Sequence, residues 1–237
     1  MFRPRQRRKD IPRGFTLSGG LRTIADTLAG QPGIRIEFAQ AAREIRRDGR
    51  EFTVRTDGGD YAARALCLAT PVAAAAELLR AEFPRLAGRL AEIRTARVET
   101  VGVVAPKAQL KLPPLAGLIG RDEAFFSAVS RDTVPDPAYR GFTFHFRPGV
   151  LDEEGKIRRI AEVLGLSRAA LGSENVVATV NRLPALRVGH GDLIRVVDAE
   201  LTGSRLALTG NYFTGVAIED CVTRSRGEFE RLRREGW

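Results

Sequence analysis

The stretch from Leu206 to Cys221 restricts the fold more than any other part of the chain. It reads as a short apolar strand, a turn holding Gly210 and Gly215, and the opening of an amphipathic helix. A strand that passes into a helix through two glycines belongs to an α/β arrangement. The first backbone N–H groups of a helix lack intrahelical partners and carry the positive end of its dipole, so an anionic group placed there is well solvated. Gly210 and Gly215 let the chain turn tightly and let a ligand approach the backbone.

The preceding chain alternates between helical and strand patterns. Leu21, Ile24, Ala25 and Leu28 recur at helical spacing behind Ser18, a candidate cap, and Gly30 and Pro32-Gly33 stop them. Alternation then predicts strands over Ile34 to Phe38 and, after the Asp48-Gly49 turn, over Glu51 to Thr56. Asp57 to Asp60 reverses the chain, and Ala65 to Ala69 is apolar on both faces, as in a covered sheet. Pro71 opens a helix from about Val72 to Arg80. Prolines then punctuate strand-like runs at Arg97 to Val104, Leu115 to Ile119, Phe125 to Val129 and Gly141 to Phe146. Helices over Asp152 to Val163 and Ser167 to Leu171, a strand over Asn175 to Leu183, and a helix, strand and helix from His190 complete the pattern. The fold class is α/β (α+β), with an antiparallel sheet inserted into a discontinuous α/β unit.

Charge and cysteine content exclude several classes. The net charge of +9 arises from 38 Lys+Arg against 29 Asp+Glu, mostly as arginine, which suits carboxylates and phosphates. No zinc-finger spacing, RNP aromatic motif or other nucleic-acid reading module occurs, so nucleic acid is not an expected partner. Residues 1–14 carry most of a basic cluster with two prolines and read as an exposed arm. Cys67 and Cys221 lie far apart, and nothing at the start resembles a signal peptide, so a cytoplasmic location is expected. The longest apolar run, Ala65 to Ala76, is interrupted by Pro71 and is well short of the ~20 residues a bilayer needs, which leaves only peripheral membrane attachment open. His145 and His190 have no Cys or His at metal-ligand spacing, and no G-x-S-x-G occurs, so neither a metal site nor a hydrolytic triad is expected.

Three collinear blocks carry a resemblance. Gly210-Asn211-Tyr212-Phe213-x-Gly215-Val216-x-Ile218-x-Asp220-Cys221, preceded by Leu183 to His190, is similar to the C-terminal signature of FAD-dependent protoporphyrinogen oxidases, within the flavin-containing amine oxidase superfamily. Phe15 to Ile24 resembles that family's Gly-Gly helix start, and Leu66-Cys67-Leu68-Ala69-Thr70-Pro71 its V-x-A-T-P strand end. The match corresponds to the C-terminal half of such an enzyme. It implies a flavoprotein fragment whose residues 15–92 and 187–237 form part of an FAD-binding Rossmann-type domain, and whose residues 93–186 form a substrate domain.

By this resemblance FAD would lie along Gly210 to Asp220, with N–H groups of Gly215, Val216 and Ala217 as donors and Ile218 beside them. Ala217 stands where glycine is usual. Ala42 would meet the adenine through its backbone, and Thr70 and Pro71 would sit at the carboxyl end of a strand, where α/β sheets bind ligands. The G-x-G-x-x-G βαβ unit that holds the pyrophosphate in a whole enzyme is not found, so the FAD site is expected to be incomplete and the chain inactive without an N-terminal FAD-binding half. The implied reaction is oxidation of a porphyrinogen to a porphyrin in heme biosynthesis, by hydride transfer to the flavin. Arg97, Arg121, Arg131 and Arg147 are candidate partners for the substrate's propionates, and no motif singles out a catalytic residue. The alternatives are a non-enzymatic remnant or partner subunit of a split flavoprotein, and an amine-oxidase-like or carotenoid-desaturase-like relative with another small-molecule substrate.

Overall fold

The computed structural model of the protein describes residues 17–121, 124–131 and 136–236, so the basic arm expected over 1–14 lies outside the described residues. Along the chain run α1 (Arg22–Ala29), the strands β1 (Ala42–Asp48), β2 (Glu51–Thr56), β3 (Gly59–Ala63) and β4 (Leu66–Leu68), and the helices α2 (Val72–Leu79) and α3 (Pro84–Ala91). Next come β5 (Thr95–Pro106), β6 (Gly117–Ile119), β7 (Phe125–Ser130), β8 (Tyr139–Phe146), α4 (Glu153–Leu164) and β9 (Val176–Pro184). The described chain closes with α5 (His190–Leu201), β10 (Leu206–Leu208) and α6 (Ile218–Arg234). It divides into two compact units, one of residues 17–36 and 98–181, the other of residues 37–97 and 182–236.

The second of these units holds an antiparallel sheet β1-β2-β3 and a parallel pair β4-β10. No strand forms over 34–38, where Ile34, Ile36 and Phe38 are exposed. An alternating run is a strand only if a neighbour completes its ladder, and the two-residue loop at Gly49-Arg50 supplies that neighbour to β1 instead. Ile45 then enters the core opposite Val54. Pro71 stands at the N-cap of α2 and Pro84 in the first turn of α3, where a missing N–H costs nothing. Ala75, Leu79, Leu86, Leu90, Val197, Leu201, Leu206 and Leu208 form one core with Phe52 and Tyr212.

The parallel pair has two unlike edges. On the side away from β4, the backbone groups of β10 are taken by side chains of α6. Leu208 N–H donates to Glu228 Oε2 (3.3 Å), Arg224 Nε donates to Leu208 O (3.0 Å), and Arg231 donates to Leu206 O (2.6 Å). The edge of β4 away from β10 has no ladder partner among the described residues, and Cys67 on it is exposed. The covered strand expected over Ala65 to Ala69 is therefore a short strand covered incompletely.

The other unit is built on a five-stranded sheet of order β6-β7-β8-β5-β9, antiparallel across β6/β7, β7/β8 and β8/β5. Val101 and Val103 of β5 and Phe142, Phe144 and Phe146 of β8 are buried in one cluster with Ile160, Ala161 and Leu164 of α4. The rings of Phe125 and Phe144 meet edge to face at 5.4 Å. Asp152 caps α4 by accepting the Gly155 N–H at 2.7 Å, and Gly165 ends it at φ 69°. Lys156 on α4 forms an ion pair with Glu99 on β5, both nearly buried. The helix expected over Ser167 to Leu171 shrinks to one 3-10 turn, Arg168–Ala170, which is too short a run for an α-helical ladder. Ser18 does not cap α1: Gly20 N–H donates to Leu17 O in a turn, and the N-cap is Leu21. No helix among the described residues is long and apolar enough to cross a membrane.

Candidate functional site

The carboxyl ends of β4 and β10 lie side by side, because Thr209 N–H donates to Leu68 O at 3.0 Å and continues the parallel register. The chain leaves β4 through Ala69 and Thr70 into α2, and leaves β10 through Gly210 into a loop that ends at α6. Thr70, Pro71 and Gly210 are thus brought together at the end of a parallel pair, where open α/β sheets take ligands. Ala42 starts β1 in a different sheet, is exposed, and precedes an irregularity in the β1/β2 register.

The loop from Gly210 to Ala217 is fixed by buried side chains. Tyr212 and Phe213 are fully buried with ring centroids 4.6 Å apart, and the Arg224 guanidinium lies 3.8 Å from the Phe213 ring centroid. His190, the first residue of α5, holds the loop through Nε2, 2.9 Å from the Phe213 carbonyl. A carbonyl only accepts, so that nitrogen carries the proton. The turn expected at Gly189-His190-Gly191 is present, with Gly189 at φ 86° as the N-cap of α5.

Two buried hydroxyls at this end have no hydrogen-bond partner among the described residues: Thr70 Oγ1 and Tyr212 Oη. Burial pushes the Tyr212 phenol pKa far up, so its oxygen is a protonated donor. Unpaired buried polar atoms cost about 1–3 kcal/mol each, and two at one sheet end mark a place that an external polar group satisfies. The start of α6 is more occupied. Asp220 reaches back to the Ala217 N–H at 3.3 Å, which is half of a capping box, since alanine cannot reciprocate. A Cβ at Gly215 would meet that same carboxylate, so a side chain there would make Asp220 turn away from the Ala217 N–H. Val216, Ala217 and Ile218 are exposed, and the free first-turn donors of α6 begin at Ile218. Glu219 and Asp220 already place negative charge on that turn.

The two orphaned hydroxyls therefore fit a polar group at the sheet end. Tyr212, His190 and Arg224 belong to this site beyond the residues expected from the sequence. The burial of Tyr212 inside the Gly210-Asn211-Tyr212-Phe213 motif was the one available signal. Among the described residues, no group of three His, Cys, Asp or Glu is placed to hold a metal ion.

Gly210 sets the loop's direction at φ 143°, where a Cβ would also lie 2.8 Å from a Tyr212 ring carbon. Gly210→Ala is expected to destabilise the chain by about 1–3 kcal/mol, combining backbone strain with displacement of a packed ring. A thermal melt checks this, and an unchanged Tm would refute the role given to Gly210.

The family model described as flavin containing amine oxidoreductase matches residues 2–227. A coproporphyrinogen III oxidase of Propionibacterium freudenreichii subsp. freudenreichii is 29% identical over 240 residues, covering 89% of this chain and 43% of that protein. Among solved structures, a protein assigned as a protoporphyrinogen oxidase from Exiguobacterium sp. 255-15 superposes with a TM-score of 0.74 at 21% identity, over 93% of this chain and 52% of its own. Cyclohexylamine oxidase from Brevibacterium oxydans IH-35A superposes with a TM-score of 0.58 at 13% identity, over 82% of this chain and 48% of its own. At these identities the solved structures show the fold, that of the flavin-dependent oxidases. The chain spans about half the length of the relatives it matches.

Proposed function

Because the chain belongs to the flavin-containing amine oxidoreductase family, we propose that it is the C-terminal part of an FAD-dependent porphyrinogen oxidase of heme biosynthesis. The observation that carries this reading is the pair of unpartnered buried hydroxyls, Thr70 Oγ1 and Tyr212 Oη, at the carboxyl end of the parallel pair β4-β10. The name of the Propionibacterium relative supports a porphyrinogen rather than an amine as substrate.

In this reading residues 15–92 and 187–237 supply one wall of the flavin site, and residues 93–186 receive the substrate. Thr70 and Tyr212 would hydrogen-bond the cofactor, and the α6 donors from Ile218 onward would hold its anionic part, with Gly210, Gly215, Val216 and Ala217 shaping the approach. Pro71 keeps the end of β4 from closing over the site, and Ala42 offers backbone atoms to the adenine. FAD supplies the two-electron acceptor for the porphyrinogen's hydride. His190 and Arg224 hold the loop that carries Tyr212, so they act as positioning residues.

The remaining walls come from a βαβ unit with a G-x-G-x-x-G turn outside these residues. Purified alone, the chain is expected to retain little flavin after desalting. Co-expressed with the N-terminal half of a porphyrinogen oxidase of this family, it is expected to retain flavin in proportion to the complex. A stoichiometric flavin spectrum of the chain alone would overturn the incomplete site, and absence of flavin from a purified complex would overturn the assignment.

A further inference from the structure

The turn between β1 and β2 sorts its charges by face. Register pairs Asp48 with Glu51 and Arg47 with Phe52, so the two acids lie on one face of the hairpin and Arg47 on the other, beside the buried Phe52. Farther along the same sheet the arginines have carboxylates in reach: Arg43 meets Asp57 at 2.6 Å, Arg46 meets Glu44 at 2.8 Å, and Arg55 meets Glu44 at 3.2 Å. At the turn they do not. Arg47 donates through Nε to the Gly49 carbonyl at 3.0 Å and lies over the Phe83 ring, which holds the side chain in place and leaves its terminal nitrogens for another group. Arg50, in the turn itself, pairs with no acid among the described residues.

This face of the hairpin meets two other segments. The turn from α5 into β10 brings Ser204 and Arg205, and the end of α6 brings Leu232 and, just past it, Glu235. Together they enclose a cavity of about 230 Å³, floored by the buried Phe52 and Leu232. Its walls are fixed by the backbone. Ser204 N–H donates to Leu201 O at 3.0 Å, Arg231 donates to Ser204 O at 3.0 Å, and Arg205 O accepts the Leu66 N–H at 3.0 Å. Arg205 is half-buried and also pairs with no acid among the described residues.

The charges of this lining do not balance. Glu235 is the one acid among the described lining residues, and Arg231 holds it at 2.8 Å. Arg47, Arg50 and Arg205 therefore face one hollow with no carboxylate of the chain to answer them. Three guanidiniums gathered there repel one another, and an anion placed between them turns that repulsion into attraction. The carbonyl end of α5, which would otherwise repel an anion, is already covered, because Arg231 takes the carbonyls of Leu201, Ser204 and Leu206.

We propose that this cavity, at the amino end of β10, binds a compact anion carrying a diphosphate group, held by Arg47, Arg50 and Arg205. Guanidinium forks match phosphate oxygens, and three of them on separate segments call for an anion with more than one charged group. The volume suits two phosphates and lies below the roughly 300–1,000 Å³ of pockets for larger organic ligands. Strand β10 stands between this cavity and the sheet end where Thr70 and Tyr212 lie, so the inference is independent of the oxidase reading. Bound there, the anion ties the β1-β2 turn to the ends of α5 and α6.

The test is calorimetric titration of the full chain with inorganic pyrophosphate at constant ionic strength. The wild type is expected to bind pyrophosphate roughly tenfold or more tightly than inorganic phosphate, and its Tm is expected to rise with pyrophosphate concentration. Arg50→Gln and Arg205→Gln are each expected to weaken binding roughly tenfold, as loss of a charge-assisted bond does. Arg50 is exposed in a turn, so Arg50→Gln is expected to keep the Tm of the free chain and carries the test if Arg205→Gln unfolds. Val216→Glu changes the net charge by the same amount at the start of α6, beyond the carboxyl end of β10, and is expected to leave the affinity within about twofold. ADP is the second probe: affinity no weaker than that of pyrophosphate assigns the cavity to a nucleoside diphosphate, and weaker affinity assigns it to the free diphosphate. No binding of pyrophosphate by the wild type, equal affinity for phosphate and pyrophosphate, wild-type affinity in the folded Arg50→Gln variant, or a loss in Val216→Glu as large as in Arg50→Gln would each overturn the proposal.

Discussion

Glu228→Leu is expected to remove about 3–5 kcal/mol of stability, a large share of what a domain of this size possesses. Glu228 is a buried carboxylate on α6, 6% exposed, and it serves three groups at once. It accepts the Leu208 N–H at 3.3 Å and pairs with Arg231 at 3.1 Å and Arg224 at 3.3 Å. Arg224 and Arg231 are themselves only 12% and 13% exposed, so removing the acid costs each guanidinium one of its two carboxylates, leaving Asp198 at 2.7 Å and Glu235 at 2.8 Å, and leaves the buried Leu208 N–H without its acceptor. Arg231 also holds the carbonyls of Leu201, Ser204 and Leu206, so its displacement would loosen the turn into β10 as well. Glu228→Gln keeps the shape and an acceptor for Leu208 but loses the charge, and is expected to cost less. Urea unfolding followed by circular dichroism separates the variants. A Glu228→Leu midpoint within about 1 kcal/mol of the wild type would show that the triad is solvated and carries little.

A loss of similar size, about 3–5 kcal/mol, is expected for Lys156→Met. The ion pair between Lys156 and Glu99 ties α4 to β5, with side chains 12% and 8% exposed. Glu99 also accepts from the Gly149 N–H at 3.4 Å, and its carboxylate stays buried once the ammonium is gone. The decisive comparison is the double variant Glu99→Leu with Lys156→Met. Removing both leaves no buried charge unpaired and is expected to recover most of the loss, because a buried pair is often replaceable by apolar residues of similar volume. Additive single losses in a double-mutant cycle would contradict this account.

The sequence made some elements plain because a single local signal decided them. Asp152 and Gly165 bracket α4, and the alternation of Phe142, Phe144 and Phe146 marks β8. Others depended on a neighbour. Ala42 to Asp48 has Ile45 as its one large apolar side chain, so its pattern does not announce a strand, and it becomes one by pairing across Gly49-Arg50. Ile34 to Phe38 alternates better but finds no ladder. Pro84 to Ala91 carries a weak helical signal, because its apolar face is only Leu86, Ala87 and Leu90, completed by α2 and α5. At the site, the glycines of the Gly210 loop were legible as a motif. The lone hydroxyl of Thr70 was not, since it depends on Leu68 standing opposite Leu208. Arg224, Glu228 and Arg231 stand at helical spacings that usually describe a solvated face, and only the placement of α6 against β10 turns them into a buried triad.

The unlike edges of the β4-β10 pair give this sheet a valence of one. Arg224, Glu228 and Arg231 consume the hydrogen-bonding capacity of β10 from outside, so any further strand must arrive beside Cys67. A second copy arriving there would saturate its own open edge in the same act, and no third could follow. By edge-to-edge pairing this two-stranded sheet is a terminator and not a seed: its open strand can be closed by one guest, but it cannot propagate a fibre.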